Sequence, residues 1–169
     1  MMRALVLGFG NLDRQDDGVA YDVINGLRHR LGKEPLDEGA MGPEEIVAGI
    51  DAVFVRQLEP GLMDLAAGYD RVVFVDAHVQ PDLEGVSRTQ VQPELTVSAF
   101  THHMTPQTFL AWLGVLHRRR PAGFIVSVRG HSFDFGRGLS QSTATQVAPA
   151  VEHVLHLLPQ GQTRRNQAN

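Results

Sequence analysis

Two aspartates of this chain follow apolar segments, where a carboxylate can face a cleft rather than a core. Asp17 closes the polar segment GFGNLDRQDD, which follows RALVL, and Asp76 follows the apolar segment RVVFV. A carboxylate beside such a core is costly unless it is paired. Asp76 could therefore have a structural role, bonded to nearby backbone amides. Alternatively, the two carboxylates could bind a cation or act as acid and base.

Histidines could complete a metal site with these carboxylates. The chain has eight histidines and no cysteine, which excludes a thiolate site, a disulfide and a cysteine nucleophile. One imidazole and two carboxylates suit a divalent ion with an open coordination position. The adjacent His102 and His103 are the main candidates. His78, two residues after Asp76, and His131 compete with them.

The elements that must position these residues alternate along the chain, which predicts a three-layer α/β/α domain. Residues 33–51 are acidic and rich in glycine and proline, so we expect them to be mostly loop. Pro149 either kinks the last helix or marks its start. We predict strands at 3–7, 52–58, 71–75, 86–91 and 124–128, and helices at 18–31, 60–67, 106–117 and up to about residue 158.

The connections between these elements bring the candidate residues to one edge of the sheet. About ten residues separate the third and fourth strands, too few for a parallel crossover, so the fourth strand should be an antiparallel edge strand. Ligands of open α/β sheets bind beyond the carboxyl ends of the strands, where Asp17 and Asp76 lie. Residues 92–105 are long enough, at ~3.3 Å each, to bring His102 and His103 back to that edge.

The first loop offers two further interpretations. Gly8-Phe9-Gly10 after a strand could begin a dinucleotide fingerprint, but Asp13 stands where the third glycine is required, and three aspartates would repel a pyrophosphate. A nucleotide-binding module is therefore the least favoured function. Asp16 is expected to cap the following helix, and Asp17 to point into the cleft.

The composition is that of a globular protein, with 43% hydrophobic and 20% charged residues among 169. We expect one domain, residues 1–159, with a polar and frayed tail at 160–169. The net charge of −4 provides no basic surface for nucleic acid. The apolar N-terminal segment is too short to span a membrane and lacks a cleavage site. We therefore expect a cytoplasmic monomer that binds no membrane.

Three segments together resemble the hydrogenase maturation protease family. GFGNLDRQDDG is similar to the G-x-G-N-x-x-x-x-D-D/E-G signature of that family, and VVFVDAH to its strand that ends in an aspartate. FTHHMTPQTFLAWL is similar to its segment with Ser/Thr and His that opens a helix. The resemblance extends from residue 2 to about residue 158. It implies a phosphorylase/hydrolase-like α/β/α fold with a mixed five-stranded sheet and one antiparallel edge strand.

The resemblance also implies a function and its residues. Asp17, Asp76 and His102 would be metal ligands, His102 being preferred because it follows Thr101, and Asp17 and Asp76 would also be catalytic. The metal would be nickel, carried by the partner, a hydrogenase large subunit precursor. The reaction would be endopeptidase removal of a short C-terminal peptide. The alternative is a non-catalytic nickel-binding hydrogenase assembly chaperone of the same fold, which would need the same three residues.

Overall fold

The protein is described by a computed structural model that covers residues 1–40, 42–96 and 104–167. In these residues six strands form one sheet in the order β2-β3-β1-β4-β6-β5. The four central strands are parallel, and each edge strand is antiparallel to its neighbour. The strands are β1 (Ala4–Phe9), β2 (Glu44–Val47), β3 (Ile50–Val55), β4 (Arg71–His78), β5 (Val86–Gln90) and β6 (Ala122–Arg129).

Helices cover both faces of the sheet, which confirms the three-layer arrangement. Successive residues of a strand point to opposite faces. In β4, Val73 and Val75 therefore join the core under α1 and α5, while Val72 and Phe74 join the core under α2 and α3. The helices are α1 (Val19–Arg30), α2 (Met63–Ala66), α3 (Pro106–His117), α4 (Gln141–Ala144), α5 (Val147–Leu157) and α6 (Gln160–Gln167).

The prediction of five strands was wrong by one. Strand β2 lies within the segment expected to be loop and pairs with β3 at the sheet edge opposite β5. It has four residues, two of them glutamates, so its sequence shows too few apolar alternations to predict a strand. Tertiary packing stabilises it, because Ile46 and Val47 are buried in the core under α1.

The predicted antiparallel edge strand is confirmed as β5, which pairs with β6. Helix α3 also has the predicted bounds and begins with a capping interaction. The Thr105 hydroxyl accepts a hydrogen bond from the Thr108 N–H at 3.2 Å, and Pro106 occupies the first turn, where no N–H is needed. The residues before α3 that include His102 lie outside the described part of the chain.

The C-terminal segment forms a helix up to Gln167, where the sequence suggested a frayed tail. The side chain of Gln160 stabilises its start by donating to the carbonyl oxygens of Leu155 and Leu158 at 2.8 and 3.0 Å. Pro149 stands in the first turn of α5, where its missing N–H breaks no helical hydrogen bond, so it marks the start of this helix. Among the described helices, none has both the length and the apolar composition that a membrane span requires.

Candidate functional site

The parallel arrangement of β1 and β4 brings Asp17 and Asp76 to the same edge of the sheet. Asp17 lies on a short 3-10 helix, Gln15–Gly18, that follows β1, and Asp76 lies near the carboxyl end of β4. Both side chains line a cleft of about 480 Å³ at this edge. Strand β4 continues to His78, so Asp76 lies within the strand and not after it. The structure thus brings the two carboxylates together, while their roles stay predictions.

Backbone contacts of the first loop fix the position of Asp17. Its Oδ2 atom accepts a hydrogen bond from the Asn11 N–H at 2.8 Å. Gly10 lies so close to the 3-10 helix that a Cβ there would be 1.9 Å from the carbonyl oxygen of Asp17. Only glycine therefore allows this packing, which explains Gly10 of the GFGN segment.

The carboxyl group of Asp76 has an environment that disfavours its charge. Burial is the main cause that raises the pKa of Asp76 to about 7; the nearby charge of Asp17 acts in the same direction, and a hydrogen bond from the Ala77 N–H acts in the opposite one. That bond joins the Ala77 nitrogen to Oδ1 at 2.7 Å. A carboxyl group that titrates near neutrality can both accept and donate a proton at cellular pH.

The sequence predicted that Asp16 caps a helix, and this prediction was wrong. Helix α1 begins at Val19 with no side-chain cap. The carboxylate of Asp16 is fully buried, and instead of capping α1 it binds the segment that follows β6. It accepts hydrogen bonds from the N–H groups of His131, Ser132 and Ser140 at 2.8, 2.9 and 2.7 Å, and from the hydroxyls of Ser140 and Thr143 at 2.7 and 2.9 Å.

These bonds explain the acidity of Asp16. Burial alone would raise the pKa of Asp16, but the bonds from His131, Ser140 and Ser132 favour the charged form and lower the pKa to about 2. Asp16 is therefore an ionised structural group that fixes the loop next to Asp17.

The competing histidines have other contacts. His131 contributes its backbone N–H to Asp16, and its side chain is exposed. The Nδ1 atom of His78 accepts a bond from the Gln80 N–H at 3.3 Å, and its Nε2 atom is buried without a hydrogen-bond partner in the described residues. Burial and the charge of Arg129 lower the pKa of His78. Both predicted candidates in the His102-His103 pair lie outside the described residues.

Sequence reasoning missed the cations of the cleft. Arg14 and Arg56 line the cleft together with the two carboxylates, as do the apolar side chains of Leu58 and Met104. The Arg14 Nε and Nη2 atoms donate to the Phe133 carbonyl oxygen at 3.1 and 2.9 Å. No spacing rule places the two arginines in one cleft, because Arg14 lies on the loop after β1 and Arg56 on the loop after β3.

The described residues of the cleft provide two of the three ligands predicted for a divalent cation, Asp17 and Asp76. Two carboxylates that line one cleft, one with a pKa raised by burial, favour a positive charge between them. Within the described ranges, no group of three His, Asp or Glu side chains is close enough to hold a metal ion. The third predicted ligand, His102, is beyond those ranges.

Comparison with known proteins shows which class of proteins shares this fold. No protein-family model and no curated protein matches the sequence. Solved hydrogenase maturation proteases have the same fold, as the sequence resemblance predicted.

Three of these structures illustrate the likeness. The hydrogenase maturating endopeptidase HybD from E. coli superposes with a TM-score of 0.67 at 21% identity, over 95% of this chain and 94% of that one. The NiFe hydrogenase maturation protease HybD from Thermococcus kodakarensis superposes with a TM-score of 0.61 at 20% identity, over 94% of this chain and 100% of that one. The NiFe hydrogenase maturation protease HycI from Thermococcus kodakarensis KOD1 superposes with a TM-score of 0.64 at 16% identity, over 93% of this chain and 92% of that one.

Proposed function

We propose that this chain is an endopeptidase that removes a short C-terminal peptide from a nickel-loaded hydrogenase large subunit precursor. The observation that carries the proposal is the cleft lined by both Asp17 and Asp76 at the carboxyl edge of the sheet. The shared fold with hydrogenase maturation proteases supports it, as do the three sequence segments similar to that family.

The proposed substrate contributes the metal. Asp17, Asp76 and His102 would bind the nickel ion that the precursor already carries, which would polarise the scissile carbonyl group or the attacking water. Met104, two positions after His102, lines the cleft, which is consistent with a ligand from this segment. The arginines of the cleft, Arg14 and Arg56, would pair with carboxylate or carbonyl oxygens of the entering peptide.

The carboxyl group of Asp76 is suited to the proton transfers of hydrolysis. As a base it would take a proton from the attacking water, and as an acid it would return a proton to the leaving amine nitrogen. Its carboxyl group keeps free acceptor capacity, since among the described residues the Ala77 N–H is the only hydrogen-bond donor to it. The carboxylate of Asp17, oriented by the Asn11 N–H, would bind the nickel ion.

The decisive experiment is intact-mass measurement of candidate nickel-loaded precursors incubated with the purified chain. The expected result is a precursor shortened by one C-terminal peptide with wild type, and an unchanged precursor with Asp76→Asn. A stable complex in which wild type never shortens the precursor would instead support the nickel-binding assembly chaperone. Absence of both cleavage and complex formation for every precursor would reject both functions.

A further inference from the structure

The loop that follows β6 presents an aromatic side chain to solvent, and this loop is hydrogen-bonded to the first loop, which lines the cleft. We call residues 130–140 the rim loop. Phe135, near its middle, is 90% exposed. A single exposed apolar residue is common on protein surfaces and alone indicates little. The rim loop differs because the backbone on both sides of Phe135 is tightly bound.

Hydrogen bonds tie both halves of the rim loop to the first loop of the chain. Before Phe135, the carbonyl oxygen of Phe133 accepts two bonds from the Arg14 side chain. After it, the Gly136 N–H donates to the Asp13 carbonyl oxygen at 2.7 Å, and the Gly136 carbonyl oxygen accepts from the Gln15 N–H at 2.9 Å. The Asp16 carboxylate binds both ends of the rim loop, as described above.

This arrangement orders a loop whose tip packs against little of the protein. Ordering backbone costs about 1–2 kcal/mol per residue in conformational entropy. An aromatic side chain on a rigid support loses little further entropy when a partner binds it, which is the property of interface hot spots.

The position of the rim loop indicates which partner would bind it. Arg14 and Asp17 line the cleft, and the segment that carries them is the one that holds the rim loop. Exposed Val79 and Leu83, in the loop after the neighbouring strand β4, lie at the same edge of the sheet. A protein whose peptide enters the cleft would approach the first loop, which carries Arg14 and Asp17 and is hydrogen-bonded to the rim loop.

We propose that Phe135 is a docking anchor that inserts into an apolar pocket on the folded body of the precursor protein whose peptide enters the cleft. This inference rests on the proposed function, and it adds a surface outside the cleft that selects the substrate. Phe135 touches no reacting atom, so it governs the affinity for the precursor and leaves the chemical step unchanged.

The test compares Phe135→Ala with Leu116→Ala, a matched control that truncates another exposed apolar residue at the far end of α3, where Leu116 is 59% exposed. We expect Phe135→Ala to raise the KM for the precursor at least about tenfold with kcat within twofold of wild type. Leu116→Ala should match wild type, and Phe135→Trp should retain most of the affinity. Thermal unfolding should be unchanged in all three, because these side chains bury little area.

Binding measurements separate this inference from the proposed function. The Kd for the precursor is measured with Asp76→Asn protein, with and without Phe135→Ala, so that cleavage is not required. A tenfold weaker Kd supports docking even if wild type does not cut. Equal Kd values, no measurable binding, or a lower kcat at unchanged KM would overturn it. So would a wild-type dimer that Phe135→Ala converts to a monomer, since Phe135 would then bind a second copy.

Discussion

Asp16 and Asp17 are adjacent in sequence, yet their carboxylates have different partners. Among the described residues, five donors from residues 131–143 surround the Asp16 carboxylate, while one backbone N–H from the first loop binds Asp17. A carboxylate with five donors cannot exchange them for water or a ligand without loss of stability. Asp17 keeps acceptor capacity that can face the cleft. The sequence alone distinguished the two only by their order.

The two carboxylates should therefore respond differently to amide substitution. Asp16→Asn should lower the free energy of unfolding by about 2–3 kcal/mol, because the amide NH₂ group faces donors. Asp17→Asn should abolish processing with an almost unchanged Tm. Thermal unfolding and precursor processing, measured on both variants, check this.

The pH dependence gives a control for the Asp16 variant. Its folded pKa of about 2 lies below the ordinary 3.8, so its contribution of about 2 kcal/mol is present above pH 4 and disappears as the pH falls to 2. The difference in stability between wild type and Asp16→Asn should narrow over this range. A constant difference would contradict the charge-based explanation.

Asp76→Asn should abolish processing while the protein stays folded. The folded pKa of Asp76, raised to about 7, means that its neutral form is favoured in the fold. The neutral carboxyl group stabilises the folded state by at most about 4 kcal/mol. This stabilisation is complete below pH 3.8 and is lost as the pH rises through 7. Relative to Asp76→Asn, wild type should thus lose stability between pH 4 and pH 8, as urea unfolding would measure.

Two outcomes would contradict this account of Asp76. Wild-type processing by a folded Asp76→Asn protein would remove the residue from the chemistry. Parallel stability curves of the two proteins against pH would show that its carboxyl group is not held in an unfavourable environment.

At the scale of elements, the chain lengths between strands predicted the topology better than residue preferences did. The short connection after β4 required the antiparallel β5, and the helix predicted at 18–31 is α1, Val19–Arg30. Strand β2 could not be predicted, because its four residues become a strand only by pairing with β3. The same limit applies to the partners of Asp16, since Ser140 and Thr143 reach it through tertiary structure.

Gly10 tests how closely the first loop must pack against the 3-10 helix that carries Asp17. Gly10→Ala should cost about 2–4 kcal/mol and reduce processing, because the added Cβ would overlap a backbone oxygen that cannot rotate away. Gly61→Ala is the control, since a Cβ there meets nothing within 4 Å and its φ is not positive. Urea unfolding and processing assays compare the two variants. Equal stability would show that the first loop can shift freely.

At the scale of the whole molecule, the cleft offers few ligands and the substrate is proposed to supply the metal. Carboxylate and imidazole ligands from separate segments hold an ion less firmly than a closed site of four ligands. Chelation and desalting of the purified chain should therefore leave its activity on nickel-loaded precursor unchanged. Precursor matured without nickel should stay uncut at any concentration of the chain.

A two-by-two mixing experiment with treated and untreated partners makes this measurement. Loss of cleavage after chelation of this chain alone, with recovery on added metal, would identify an ordinary metallopeptidase. Cleavage of nickel-free precursor would show that the metal has no part in recognition.

The hydrogen bonds to Asp16 also determine at which stage of translation the first loop can reach its folded structure. Its donors follow it by 115 to 127 residues, so the ribosome releases Asp16 long before His131 and Thr143. Strand β5 likewise emerges before β6, the strand with which it pairs. A nascent chain that has not reached residue 131 already carries Asp17 and Asp76, but its first loop lacks the donors that fix it. The first loop therefore takes its final form only after Thr143 has been synthesised, and fragments that end before residue 131 should be inactive.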